Sequence, residues 1–196
     1  RDQPRSRGLG DVYKRQGVVM VRITVSGHPG SGTSTLVAGL MEHFNWTSLN
    51  GGDVFRSEAK RRGLSLAEFG QLCTEDLEVD RKLDALLQEQ MSNEGSKDIV
   101  ESRLAGWWAY KLELDCVRLW LDVDSEERAR RVVAREQCTL EEALEANEKR
   151  TAVDATRFME LYGLLPEQRE PYTIVLDGTN LSREQILAAV IEILEA

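Results

Sequence analysis

Apolar runs alternate with amphipathic segments along most of this 196-residue chain. The apolar runs predict five buried strands, at residues 18–25, 46–50, 99–100, 116–123 and 172–176. Between them, apolar residues recur at helical spacing and predict helices at 35–41, 54–62, 77–91 and 125–136, with others that begin near 65, 139 and 183. Strands that alternate with helices indicate an α/β fold, in which a parallel sheet is covered on both faces.

Polar residues mark where several of these helices begin. Asp53 and Ser125 are suitable N-caps for the helices that follow them. A Ser or Thr followed three residues later by Glu or Gln forms a capping box, in which each side chain binds a backbone N–H group of the other residue. This pattern occurs at Ser65 with Glu68, Thr139 with Glu142, and Ser182 with Gln185.

A glycine-rich segment joins the first predicted strand to the next helix, which is the setting of a P-loop. Its glycines let backbone N–H groups surround phosphate oxygens, and the helix dipole favours the anion. The residues expected to bind phosphate are Gly27, His28, Pro29, Gly30, Ser31, Gly32, Thr33, Ser34 and Thr35. Thr33 stands where the P-loop pattern has lysine, whereas the glycines and Ser34 are in register, which places Ser34 near Mg²⁺. A glycine-rich turn without a ligand is the alternative interpretation.

The formal net charge of -9 narrows the possible partners. Nucleic-acid-binding domains usually carry a basic balance, so that class is disfavoured, and an acidic nucleotide-binding protein must concentrate its positive charge in one cleft. No apolar run approaches the roughly 18 residues of a membrane span. Three widely spaced cysteines, Cys73, Cys116 and Cys138, favour reduced thiols in a cytoplasmic protein over a disulfide framework or a zinc site.

The first 19 residues differ from the rest of the chain. Residues 1–16 have no apolar periodicity, and they carry five Lys or Arg side chains against two aspartates. We therefore treat 1–19 as a tail that is either disordered or foreign to the native protein, with Met20 as the expected native start. The remaining residues, 20–196, have the length of a single domain.

Several arginines share helix faces in the second half of the chain. Arg128, Arg131 and Arg135 are three and four residues apart, and Arg150 and Arg157 are seven apart. Taken alone, such arginines more often belong to solvated faces that pair with nearby glutamates. Beside a P-loop without lysine they have a second explanation, because phosphoryl transfer needs positive charge around an anionic transition state.

Other polar residues directly follow predicted strands. They are Asp53 with Arg56, Glu101 with Arg103, and Asp177. Ligands of parallel sheets bind beyond the carboxyl ends of the strands, so these residues are expected to gather with the glycine loop at one edge of the sheet. Asp53 has the alternative role of a helix cap, and Asp177 that of a turn residue.

Three stretches carry a specific family resemblance. Residues 51–56 (GGDVFR), 101–107 (ESRLAGW) and 127–163 look like the archaeal-type cytidylate kinases, and the similarity extends from about Met20 to the C-terminus. Members of that family often carry Thr in place of the P-loop lysine, so Thr33 does not indicate an inactive protein. The resemblance implies a three-layer α/β/α P-loop kinase fold. It further implies a five-stranded parallel sheet, a helical insertion at 53–92 that binds the nucleoside monophosphate, and a lid at 135–160.

The resemblance also implies a reaction and residue roles. The expected reaction is transfer of the γ-phosphoryl group of ATP to CMP, and also to dCMP, with Mg²⁺, in a protein for which a monomer is favoured. The acceptor is expected to be bound by Asp53, Arg56, Glu101 and Arg103. The transferring group is expected to be stabilised by Arg131, Arg150 and Arg157. Two alternatives remain: a kinase for another small acceptor, such as a different nucleoside monophosphate or shikimate, and a nucleotide-binding module without catalysis.

Overall fold

A computed structural model describes residues 20–196, except for the side chains at positions 66 and 67. The expected tail, residues 1–19, lies outside the described residues. Within them, five strands form one sheet: β1 (Ile23–Ser26), β2 (Ser48–Asn50), β3 (Ile99–Glu101), β4 (Val117–Asp122) and β5 (Ile174–Asp177). Their order across the sheet is β2-β3-β1-β4-β5, and every neighbouring pair is parallel. The predicted α/β fold with a five-stranded parallel sheet is confirmed.

Eight helices occur in residues 20–196. They are α1 (Thr33–Phe44), α2 (Gly51–Arg61), α3 (Leu66–Glu75), α4 (Leu77–Ser92), α5 (Ala105–Lys111), α6 (Ser125–Val133), α7 (Leu140–Tyr162) and α8 (Arg183–Glu195). Helices α2, α3 and α4 occupy the stretch expected as the insertion, and they share a small core of their own around Phe69 and Cys73. Helix α7 contains most of the stretch expected as the lid.

The sheet separates two larger cores. Alternate residues of a strand point to opposite faces, so neighbouring positions pack into different layers. Ile99 packs with residues of α1 and α8, among them Leu36 and Val190. The next residue, Val100, packs with α4 and α5, where Leu87 is one of its partners. The sheet is therefore the middle layer of a three-layer α/β/α arrangement.

Helix α5 does not follow from the periodicity of the sequence. Five successive residues of this helix, positions 105–109, are buried. A helix that is apolar all round has no polar face, so its sequence lacks the helical alternation that marks an amphipathic helix. Its two tryptophans fill the core between the sheet and α4, with Trp107 6% and Trp108 2% exposed.

Helix starts agree with the sequence prediction at the capping boxes and differ at two single caps. All three predicted boxes are present. Asp53 is wrong as an N-cap, because α2 begins two residues earlier and Asn50 caps it by accepting a 2.7 Å backbone hydrogen bond. Asn is as good an N-cap as Asp, and Asn50 still has extended backbone at the end of β2. Asp124 also has extended backbone and accepts a hydrogen bond from Glu127 N, so Asp124, not Ser125, caps α6.

The cysteines form no disulfides among the described residues, where Cys73, Cys116 and Cys138 are all free. Burial raises the pKa of Cys73 and of Cys116 to about 11, so both stay protonated and unreactive near neutral pH. Among residues 20–196 no helix combines the length and the apolar character needed to cross a membrane.

Candidate active site

The glycine loop between β1 and α1 has two residues with left-handed backbone. Gly30 has φ of 86° and Gly32 has φ of 91°, and α1 starts directly after them. A Cβ atom at Gly30 would lie 2.9 Å from Arg128 O and 3.0 Å from Asn147 Nδ2, so only glycine fits against α6 and α7. The first N–H groups of α1 have no partner within the helix, and the helix dipole adds a positive potential there. The loop is therefore shaped to receive a phosphate group.

Two arginines of α6 hold this loop through its carbonyl groups. Arg128 is buried and donates from Nη1 to Pro29 O at 3.1 Å. Arg131 donates to Ser31 O at 2.8 Å and to Gly178 O at 2.7 Å. Because the Arg131 guanidinium is bound to backbone oxygens of the loop and of the turn after β5, it is placed to fix the shape of the loop.

Glu101, at the end of β3, collects three hydrogen bonds beside the loop. The hydroxyl groups of Thr33 and Ser34 both donate to its Oε1 at 2.7 Å, and Asn50 Nδ2 donates to its Oε2 at 2.7 Å. Thr33 thus directs its hydroxyl to a carboxylate. The Ser34 hydroxyl and the Glu101 carboxylate are hard oxygen donors of the kind that Mg²⁺ prefers. No cluster of three or more His, Cys, Asp or Glu side chains suited to a metal occurs in residues 20–196, and Mg²⁺ in phosphate sites is held mainly by water and phosphate.

Arg103 and Arg157 share one carboxylate across the cleft. Arg103 Nε donates to Asp154 Oδ2 at 3.2 Å, and Arg157 Nη2 donates to Asp154 Oδ1 at 3.2 Å. Arg157 Nε also lies 3.5 Å from Asp80 Oδ2. Burial lowers the pKa of Arg103, but a guanidinium group remains charged at neutral pH. The carboxyl end of β3 and helix α7 therefore bring two fixed positive charges to the same space.

Two carboxylates of α4 belong to the same cleft. Asp80 is 6% exposed, and Asp84 accepts a hydrogen bond at Oδ2 from the Tyr162 hydroxyl at 2.6 Å. Burial is the main cause that raises the pKa of Asp80 above its ordinary value and the pKa of Asp84 to about 6. Leu83 and Leu87 lie on the same face of α4 and also line the cleft. This wall therefore combines apolar surface with one buried and one half-buried acidic group.

These elements surround a cleft of about 660 Å³, a volume typical of a small-molecule site. Most of the residues that the sequence assigns to the site line this cleft: His28, Gly30, Gly32, Thr33, Ser34, Thr35, Glu101, Arg103, Arg150 and Arg157. The remaining assigned residues do not line it: Gly27, Pro29, Ser31, Asp53, Arg56 and Arg131. The first three of these belong to the glycine loop itself. Asp53 and Arg56 form an exposed ion pair with each other near the start of α2.

Curated relatives match nearly the whole chain. A family model described as an AAA domain matches residues 26–149. The chain is 37% identical to the cytidylate kinase of Methanospirillum hungatei over 171 residues, which is 87% of this chain and 94% of the relative. It is 36% identical to the cytidylate kinase of Halobacterium salinarum, with 89% of each chain covered. The chain belongs to the cytidylate kinase family.

Solved structures agree with the fold of this cytidylate kinase family member. The shikimate kinase of Bacteroides thetaiotaomicron superposes with a TM-score of 0.58 at 16% sequence identity. The superposition covers 91% of this chain and 100% of the shikimate kinase. The protein TT1252 of Thermus thermophilus has a TM-score of 0.57 at 22% identity, covering 90% and 98%. At such low identity these neighbours establish the fold alone.

Five charged cleft residues of this cytidylate kinase family member were not assigned to the site from the sequence. They are Asp80, Asp84, Arg135, Lys149 and Asp154. A signal for the two aspartates exists, because positions 80, 83, 84 and 87 share one helix face and the carboxylates interrupt an apolar stripe. Arg135 continues the series of Arg128 and Arg131, but spacing alone does not show which member of the series reaches the cleft.

Proposed function

We propose that this chain is an ATP-dependent cytidylate kinase, which transfers the γ-phosphoryl group of ATP to CMP and yields ADP and CDP. The same cleft is proposed to accept dCMP. Curated cytidylate kinases that are 33–38% identical over most of the chain support this assignment. The observation that carries it is the cleft itself, which joins a phosphate-binding loop to Arg103, Arg150 and Arg157.

The glycine loop is proposed to hold the donor. Backbone N–H groups at the start of α1 bind the β-phosphate, and Arg131 keeps the loop in the required shape through Ser31 O. Ser34 and Glu101, which are already in contact, would hold Mg²⁺ together with water. When bound, Mg²⁺ neutralises charge on the phosphate oxygens.

The arginines are proposed to divide the remaining work. Arg103 orients the acceptor phosphate, and Arg150 and Arg157 stabilise the transferring group as α7 closes over it. Asp53 and Arg56 are exposed and paired with each other, so their proposed contact with the acceptor requires these two side chains to turn toward the cleft, which neighbouring residues of α2 already line. Closure excludes water and so limits hydrolysis of ATP. The acceptor oxygen belongs to an ionised phosphate, so positioning and charge stabilisation supply most of the catalysis and a general base adds little.

A coupled assay of ADP release tests this function. CMP, dCMP, UMP, AMP and shikimate are compared as acceptors at saturating ATP, and the highest kcat/KM is expected for CMP, followed by dCMP. Arg103→Ala is the matched control, since it leaves the glycine loop intact and should raise the KM for CMP. A preference for another acceptor would assign a different kinase. Binding of ATP without phosphorylation of any acceptor would assign a nucleotide-binding module.

A further inference from the structure

We propose that Asp84 selects the base of the acceptor: its carboxylate accepts a hydrogen bond from the exocyclic amino group of cytosine, and Tyr162 is its positioning residue. This inference rests on the function proposed above and specifies how the same cleft recognises its acceptor. The glycine loop, Ser34 and the arginines account for phosphate groups and Mg²⁺. They leave the base without a polar partner.

The surroundings of Asp84 suit a flat, largely apolar ligand with one polar edge. Leu83 of α4 and Phe158 of α7 contribute apolar surface to the cleft beside it. The Tyr162 hydroxyl donates to Asp84 Oδ2 at 2.6 Å, which restricts rotation of the carboxylate, and the Trp108 side chain also stabilises its charge. In the proposal, Oδ1 is the oxygen that accepts from the ligand. Tyr162 is itself held by an edge contact with Trp108, whose ring centroid is 4.9 Å away. The acceptor group is therefore oriented before any ligand arrives.

Cytosine and uracil differ at the edge that a carboxylate can distinguish. Cytosine carries an amino donor at the position where uracil carries a carbonyl acceptor. An ionised carboxylate only accepts, so Asp84 can bind the cytosine amino group but shares no hydrogen with the uracil carbonyl. With its pKa raised to about 6 by burial, Asp84 is still mainly ionised at neutral pH. Sites that bind a polar group in this way reject an analogue without it by about 10⁴-fold or more.

Asp80 has a different partner, although it lies one helical turn away in the same cleft. Its Oδ2 is 3.5 Å from Arg157 Nε, and this oxygen makes no hydrogen bond in the described part of the chain. Its negative charge is thus matched to an arginine that faces the transferring phosphoryl group. Asp80 therefore provides a control in which the same chemical change is made beside the phosphate-binding arginines.

The substitution Asp84→Asn tests the proposal, because an amide can donate to the uracil carbonyl. The ratio of kcat/KM for CMP to that for UMP is expected to fall at least about 100-fold, through a lower value for CMP and a higher one for UMP. Asp80→Asn is expected to lower kcat for both nucleotides and to keep the ratio within about threefold. Tyr162→Phe is expected to lower the ratio about tenfold with the KM for ATP unchanged, as a positioning role requires.

The result that overturns the proposal is a ratio in Asp84→Asn that stays within about threefold of the wild-type ratio. Circular dichroism and thermal unfolding check that each variant is folded. If Asp84→Asn does not fold, the CMP-to-UMP ratio of Tyr162→Phe decides the proposal. Calorimetric titration with CMP and UMP separates recognition from turnover. If the wild-type protein phosphorylates no acceptor, yet binds CMP more tightly than UMP and loses this preference in Asp84→Asn, the kinase function is refuted and the role of Asp84 is supported. A wild-type protein that binds CMP and UMP equally well overturns that role.

Discussion

Asp84→Asn is expected to make the protein more stable near neutral pH. Burial is the largest of the causes that raise the pKa of Asp84 from 3.8 to about 6, and the Tyr162 hydroxyl acts in the opposite direction. Asparagine has the shape of the protonated carboxyl group and keeps an oxygen that accepts the hydrogen bond of Tyr162. The variant therefore removes the cost of burying a charge and preserves the local packing.

The pKa shift sets both the size and the pH range of this effect. The pKa in the folded state lies above the unfolded value, so folding favours the protonated acid, and ionisation destabilises the wild type as pH rises from about 4 to about 6. A shift from 3.8 to about 6 corresponds to at most about 3 kcal/mol. The advantage of Asp84→Asn is therefore close to zero below about pH 4, about half complete near pH 5, and fully present above about pH 7.

Urea unfolding of both proteins near pH 5 and near pH 7.5 measures this difference in the free energy of unfolding. The advantage of the variant should roughly double between the two conditions. Glu170→Gln is the matched control, because Glu170 also accepts a tyrosine hydroxyl, from Tyr110 at 3.4 Å, but is exposed, so its replacement should change stability little at either pH. A less stable Asp84→Asn protein, or an advantage that does not change with pH, would refute the reasoning.

Three further predictions concern the phosphate end of the cleft. Gly32→Val is expected to block ATP binding, because a branched residue cannot adopt φ of 91° without distorting the loop; unchanged affinity in calorimetry would place the nucleotide elsewhere. Arg103→Ala should chiefly raise the KM for CMP, whereas Arg157→Ala should chiefly lower kcat, by about 100-fold. Near-normal steady-state kinetics in both variants would contradict these roles. Thr33→Ala should weaken transition-state stabilisation by only about 1 kcal/mol in steady-state kinetics, because Glu101 keeps two other hydrogen bonds. Loss of turnover with retained ATP binding would show that the Thr33 hydroxyl is catalytic.

The parts of this structure that the sequence predicts are set by near neighbours in the chain. The capping boxes depend on residues three positions apart, and all three are present. The glycine loop likewise depends on a short segment between β1 and α1. The parallel sheet follows from the alternation of strands and helices, since parallel strands need such crossovers.

The remaining features depend on contacts between distant parts of the chain. Arg131 meets its carbonyl partners 100 and 47 residues away, so helix periodicity alone did not show that it binds the loop. The carboxylate of Asp84 meets the Tyr162 hydroxyl 78 residues later, a contact that only the packing of α4 against α7 creates. The strand order β2-β3-β1-β4-β5 is non-local in the same sense.

Asp154 acts as an internal counter-ion for the cleft. It compensates Arg103 and Arg157 in the structure, so a phosphate that binds these arginines as proposed would exchange with a carboxylate that is already bound. The number of ion pairs then changes little on binding, and added salt weakens the pairs on both sides of the exchange. The affinity for the monophosphate is therefore expected to depend less steeply on ionic strength than it would if these two arginines had no carboxylate partner.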